Sequence, residues 1–181
     1  LGNAITNIGC AAFTGSGITS ITIPGRVRGM GGLVTDNNKV WQCGSFSSCL
    51  SLTNVTILDG VEEITASAFD GCSKLATALM PLSLRKVGDN AFRNCSGLTQ
   101  LGIPNRVWSI GAGAFEGCTG LTTIMIPKGI TYTIIWDKRK NGQDGKPEDN
   151  GPSIENTPFA RILIIETTNG SHYGPPKRYV S

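Results

Sequence analysis

Phe92-Arg93-Asn94-Cys95-Ser96-Gly97-Leu98-Thr99-Gln100-Leu101-Gly102-Ile103-Pro104, running on to Val107, Ile110-Gly111 and Ala114, decides the fold, because the next residue, Phe115, starts the same series again. That next pass gives Cys118, Leu121, Ile124, Ile126, Pro127 and Ile130. The pass before gives Phe69, Cys72, Leu75, Ala78, Met80, Pro81, Leu84 and Val87-Gly88. Phe13, Phe46, Phe69, Phe92 and Phe115 lie 33, 23, 23 and 23 residues apart. A fixed period of this length marks a solenoid, in which each unit is one coil that cannot bury its own apolar side and must stack on its neighbours.

The spacings within a unit predict its shape. In Leu121-Thr122-Thr123-Ile124-Met125-Ile126 the period of two sends Ile124 and Ile126 to the core and Thr123 and Met125 outward. Pro127 then ends the strand, since it has no N–H for a ladder. Val107 to Gly111 reads as a second short extended piece. Ala114, Phe115, Cys118 and Leu121 have apolar spacings of three, which predicts one tight helical turn. The expected fold class is therefore α/β: a horseshoe solenoid of about five 23-residue coils, with a parallel sheet on the concave face whose strands are ~4.8 Å apart.

The pattern Ile-Gly-x-x-Ala-Phe-x-x-Cys-x-x-Leu-x-x-Ile-x-Ile-Pro-x-x-Val resembles the leucine-rich repeats of the BspA-like, or Treponema pallidum, type over residues 1 to about 130. The Ile-Pro ending and the Cys placement set it apart from ordinary leucine-rich repeats. The resemblance implies a surface-exposed or secreted, hence extracellular, location. It also implies adhesion to host proteins and cells, and no enzymatic activity.

Periodicity stops after Ile130, which divides the chain into repeats at 1–130 and a C-terminal part at 131–181. Ile130 to Trp136 and Ala160 to Glu166 read as strands rich in β-branched residues, a β-rich cap over the last coil. A small independent binding module is the alternative. The polar, Gly- and Pro-bearing stretch 137–157 reads as a mobile loop, and Gly174 to Tyr179 as an extended tail. The chain opens at Leu1-Gly2-Asn3 already within a repeat, so it reads as part or a processed form of a longer protein, with any targeting segment upstream.

Two units depart from the pattern. The first lacks one residue and has no Cys after Phe13; about eleven residues, within Arg28 to Val40, are inserted before the next. Leu33-Val34-Thr35 and Lys39-Val40-Trp41 around Asp36-Asn37-Asn38 predict a small projecting hairpin, with Trp41 near its base. The hairpin is either tolerated loop variation or a contact loop.

The net charge of +3 is spread evenly, 9 basic against 7 acidic residues in 1–130 and 7 against 6 beyond. Neither part offers a basic face for nucleic acid. No apolar run reaches the ~18–20 residues of a membrane-spanning helix. Cys49, Cys72, Cys95 and Cys118 recur every 23 residues, while Cys10 and Cys43 share another register, three residues before Phe13 and Phe46. No C-x-x-C pair occurs and His172 is the sole histidine, which argues against a metal site. The four-membered column reads as reduced, buried thiols. Neither a catalytic group nor a cofactor site emerges. Glu62-Glu63 reads as a solvated edge, and Gly29-Met30-Gly31-Gly32, lacking a following Lys-Ser or Lys-Thr, as a turn rather than a phosphate loop. Asn54, Asn94 and Asn169 each begin a glycosylation triplet, meaningful only in a eukaryotic secretory protein.

The register leaves an outward surface to consider. Ser20, Asn54, Thr77, Gln100 and Thr123 form one column of the concave face, and Thr22, Thr56, Leu79, Gly102 and Met125 the next. This neutral, hydroxyl-rich face suits a protein partner: a host extracellular-matrix or cell-surface protein, or neighbouring domains of the same protein. Without aromatic platforms it suits a glycan less well. The competing expectation is a non-binding structural spacer presenting adjacent domains.

Overall fold

The structure, a computed structural model, describes residues 2, 4–36, 39–127, 131–132 and 163–167. Thirteen strands are present among them, and no helix. Each coil contributes one strand to the concave side: β2 (Ser20–Ile23), β5 (Asn54–Ile57), β7 (Thr77–Leu79), β9 (Gln100–Gly102) and β11 (Thr123–Pro127). A shorter strand follows on the flank: β6 (Glu63–Ile64), β8 (Lys86–Val87), β10 (Ser109–Ile110) and β12 (Thr131–Tyr132) make one parallel four-stranded sheet. Beyond the repeats, β13 (Leu163–Thr167) pairs in parallel with β11. The remainder of the expected cap, the 137–157 loop and the tail lie outside the described residues.

The repeat positions build the core. Phe46, Phe69, Phe92 and Phe115 are fully buried, and Phe13 to Phe115 stack at centroid separations of 5.1, 5.2, 5.2 and 5.6 Å. These separations fall in the range of offset aromatic pairs, so each ring covers the next as well as excluding water. Leu52, Leu75, Leu98 and Leu121 form a second buried column, and Ile64, Val87 and Ile110 a third.

The expected helical turn does not form, and the α/β assignment is corrected to a coil of strands and turns. The residues two before and two after each phenylalanine adopt positive φ in most coils: Ala11 and Gly15, Ser67 and Gly71, Asn90 and Asn94, Gly113 and Gly117. A right-handed helix cannot pass through such residues. Alternate N–H groups instead cross to the next coil. Ser67, Phe69 and Gly71 donate to the carbonyls of Asp89, Ala91 and Arg93, while Ala68, Asp70 and Cys72 bond locally, three residues back. The convex side is thus a run of turns stitched between coils, which the three-residue apolar spacing does not distinguish from helix.

The thiol column is in place. Cys49, Cys72, Cys95 and Cys118 are free and buried. Each donates to the carbonyl of the phenylalanine one coil earlier: Phe13, Phe46, Phe69 and Phe92, at 2.9, 3.0, 3.2 and 3.0 Å. Cys10 and Cys43, which share the other register, instead form a disulfide.

The inserted residues form an antiparallel hairpin of β3 (Gly29–Asp36) and β4 (Lys39–Gly44). Gly29-Met30 is still part of the coil, paired in parallel with β1 (Asn7–Ile8), and Met30 is fully buried. The Gly29-Met30-Gly31-Gly32 run is therefore strand, not turn. Gly31, at φ 132°, is where the chain leaves the stack, and a β-carbon there would overlap the Cys43 carbonyl oxygen. Ser45 closes the base, its N–H on the Met30 carbonyl and its hydroxyl on Ile8 and Gly9. In later coils Gly88 N–H bonds Ile64 and Gly111 N–H bonds Val87. At the hairpin the equivalent acceptor, Met30, takes the Thr65 hydroxyl at 2.7 Å.

Candidate recognition surface

The ladders align the two expected columns residue by residue. Ser20 pairs with Asn54 and Asn54 with Thr77; Gln100 pairs with Thr123. In the second column Thr22 pairs with Thr56 and Thr56 with Leu79; Gly102 pairs with Met125. The face is divided, however. The strands β2, β5 and β7 form one sheet and β9, β11 and β13 another, so β7 and β9 lie side by side without a shared ladder.

Among the described side chains Ser20, Thr22, Asn54, Thr77, Leu79, Gln100 and Gly102 are exposed and Thr56 is half-buried. The Thr77 hydroxyl donates to the Asn54 side-chain oxygen, and the Asn54 amide to the Thr53 hydroxyl at 2.9 Å, so neighbouring coils hold one another's polar groups in place. None of the ten residues is charged. The ion pairs sit elsewhere, on the flank and the convex turns. Lys86 meets Glu63 at 3.0 Å, Arg85 meets Glu62 at 3.8 Å, and Arg93 clasps Asp70 with two hydrogen bonds. The adjacent glutamates are thereby each matched to a cation one coil on.

Exposed apolar side chains mark further ground, on the hairpin that the sequence offers as a contact loop and beside it on the flank. Leu33, Val40 and Trp41 on the hairpin are 69%, 61% and 44% exposed, and Trp108, just before β10, is 56% exposed. Trp41 pairs with Val34, partway along the hairpin rather than at its base. A cleft separates the hairpin residues Leu33 and Gln42 from Glu63, Thr65 and Lys86 on the flank. The insertion carries this signal in the sequence, because apolar residues such as Leu33 and Trp41 that have no counterpart in the repeat have no place in the stacked core.

No group of three His, Cys, Asp or Glu side chains among the described residues is placed to hold a metal ion. No helix among them is long and apolar enough to cross a membrane.

The repeats match the family model described as the BspA type leucine rich repeat region, in six copies over residues 1–43 and 39–134. No curated protein matches the chain in sequence. Solved structures do. The leucine-rich repeat protein of T. pallidum is 28% identical, with a TM-score of 0.56, over 67% of this chain and 52% of its own. A leucine-rich repeat protein from Bacteroides ovatus is 26% identical, with a TM-score of 0.47, over 72% of this chain and 43% of its own. A leucine rich cell surface protein from Faecalibacterium prausnitzii is 25% identical, with a TM-score of 0.36, over 72% and 47%. The chain spans about half the length of these structures. With the family model covering well over half of the residues, and with the repeat positions stacked as the motif requires, the chain belongs to the BspA-type leucine-rich repeat family.

Proposed function

We propose that this chain is a non-enzymatic recognition module, outside the cell or on its surface, that holds a protein partner against its concave sheet. The observation that carries this reading is the first column, where the exposed Ser20 hydroxyl, Asn54 amide, Thr77 hydroxyl and Gln100 amide recur from coil to coil. Such a face offers many neutral hydrogen bonds to an extended surface and no charge to be desolvated. The partner is a host extracellular-matrix or cell-surface protein, or a neighbouring domain of the same polypeptide. A glycan fits less well, since the described tryptophans stand off this face, on the hairpin and before β10. The Cys10–Cys43 disulfide suits an oxidising compartment rather than the cytosol.

A second reading, the structural spacer, draws on the same face. Asn54 and Thr77 already bond each other, which leaves less of their capacity for a ligand.

The deciding experiment immobilises matrix proteins, host-cell surfaces and glycans and probes them with the parent and a Thr77→Arg/Gln100→Arg variant. Circular dichroism checks that the variant is folded. Binding lost only in the folded variant supports the concave face. Binding kept by the variant moves recognition to the hairpin or flank, and no binding by the parent favours the spacer.

A further inference from the structure

We propose that the Cys10–Cys43 disulfide is a thiol-responsive clamp: it fixes the pose of the β3–β4 hairpin against the end of the stack, and a dithiol reductant releases that hairpin while the coils behind it stay folded. The proposal stands independently of where a partner binds.

Accessibility separates this pair from the other cysteines. Cys10 lies exposed in the turn after β1, and Cys43 is half-buried on β4. The other four of the six cysteines are buried, each with its hydrogen on a phenylalanine carbonyl. A thiolate must reach sulfur in line with the S–S bond, so an external dithiol can attack Cys10 whereas the core thiols cannot exchange with it.

Mechanics supply the second half. The hairpin leaves the core at Met30 and returns at Ser45, and both of these residues are fully buried. Above that base, its own ladder from Gly31–Gly44 to Asp36–Lys39 is internal. Among the described residues its ties to the rest of the chain gather at its base. There the Gly44 carbonyl accepts the Ala11 N–H at 3.2 Å and the Ser47 hydroxyl at 3.5 Å, and Gly44 packs closely on Ser67. The disulfide is the tie one residue further up. On the other side the cleft to Glu63, Thr65 and Lys86 leaves Leu33 and Gln42 unpacked against the flank. The covalent tie is therefore what sets the direction in which Leu33, Val40 and Trp41 are presented.

The exchange is balanced within the cystine and the dithiol. One dithiol sulfur attacks Cys10 Sγ as a thiolate; the S–S bond breaks, and Cys43 leaves as a thiolate and takes up a proton. The second dithiol sulfur then attacks the mixed disulfide and expels Cys10. Two electrons have passed to the cystine, and the dithiol ends as a cyclic disulfide. The phenylalanine stack and the coil-to-coil hydrogen bonds need no cystine, so residues 46–124 keep their structure.

Hydrogen exchange read by mass spectrometry tests this on the full chain, oxidised, after dithiothreitol without denaturant, and after re-oxidation with oxidised glutathione. A Cys10→Ser/Cys43→Ser variant serves as a permanently open form. The expected result is exchange roughly tenfold or more faster in residues 31–36 and 40–43, unchanged in 52–124, restored on re-oxidation and reproduced by the variant. Three outcomes would overturn the proposal. They are resistance of the disulfide to dithiothreitol in the folded chain, complete reduction that leaves hairpin exchange unchanged, and loss of protection through residues 52–124.

Discussion

The thiol of Cys72 donates to the carbonyl oxygen of Phe46, one coil back and 3.0 Å away. The same carbonyl accepts the Cys49 backbone N–H at 3.3 Å, so the thiol is its second donor. A net hydrogen bond contributes ~0.5–1.5 kcal/mol, so the repeated cysteine adds a second bond to the carbonyl as well as filling space. Cys72→Ala removes that second donor and leaves a small cavity, and is expected to destabilise the chain by about 1–2 kcal/mol in urea unfolding. A loss below ~0.5 kcal/mol would mean that the Cys49 N–H alone satisfies the carbonyl and that the thiol is filler.

The same burial gives these thiols a pH signature. Desolvation is the main cause pushing the Cys72 thiol from 9.0 up to about 12. Hydrogen bonding to Cys118 and burial push Cys95 up as well. Between pH 9 and 12 the unfolded chain releases the Cys72 proton while the folded chain keeps it. Stability from this group is therefore complete below pH 9 and is lost as pH rises toward 12. Unfolding free energy measured across that window should fall less steeply in Cys72→Ala than in the parent. Identical slopes would show that the thiol ionises as readily folded as unfolded.

Phe69 and Phe13 occupy the same repeat position in different surroundings. Phe69 is sandwiched between Phe46 and Phe92, at 5.2 Å on each side, and is fully buried. Phe13 has one stacked neighbour, Phe46, and is only partly buried. Phe69→Ala is expected to cost about 4 kcal/mol and Phe13→Ala about half of that, by chemical denaturation. Equal losses would show that the end of the stack is as tightly packed as its middle.

Much of this architecture was legible because the repeat fixes register. Once Phe, Leu and the paired β-branched residues recur every 23 positions, the columns through Asn54 and Thr77 and through Gln100 and Thr123 follow without knowledge of the turns. What spacing could not settle was backbone hand. Ala114, Phe115 and Cys118 fit a helical turn as well as a chain of turns, and only the small residues flanking each phenylalanine tell them apart. The disulfide was half legible: the common register of Cys10 and Cys43 puts them at matching positions of consecutive coils, but spacing alone does not tell a bonded pair from two free thiols. The hairpin itself is legible from Leu33 to Trp41, but the exposure of Val40 and Trp41 is not, because it depends on the stack behind them being already complete.

Ser67 carries that distinction of backbone hand into an experiment. It holds φ at 57° two residues before Phe69, and its N–H crosses to the Asp89 carbonyl instead of closing a helical bond. A side chain in this left-handed region costs ~1–2 kcal/mol, whereas glycine adopts it freely. In a helix, replacing serine by glycine would destabilise by roughly 0.5 kcal/mol. At Ser67 the sign should reverse, with Ser67→Gly neutral or stabilising by up to about 1 kcal/mol, because relieved backbone strain offsets the greater freedom of the unfolded glycine. Gly71, at φ 77° two residues after the same phenylalanine, supplies the converse, and Gly71→Ala should destabilise by about 1 kcal/mol. Thermal or urea melts of the two variants together decide the point. Loss of stability in Ser67→Gly with a gain in Gly71→Ala would restore the helical turn, since only that backbone makes alanine the better residue.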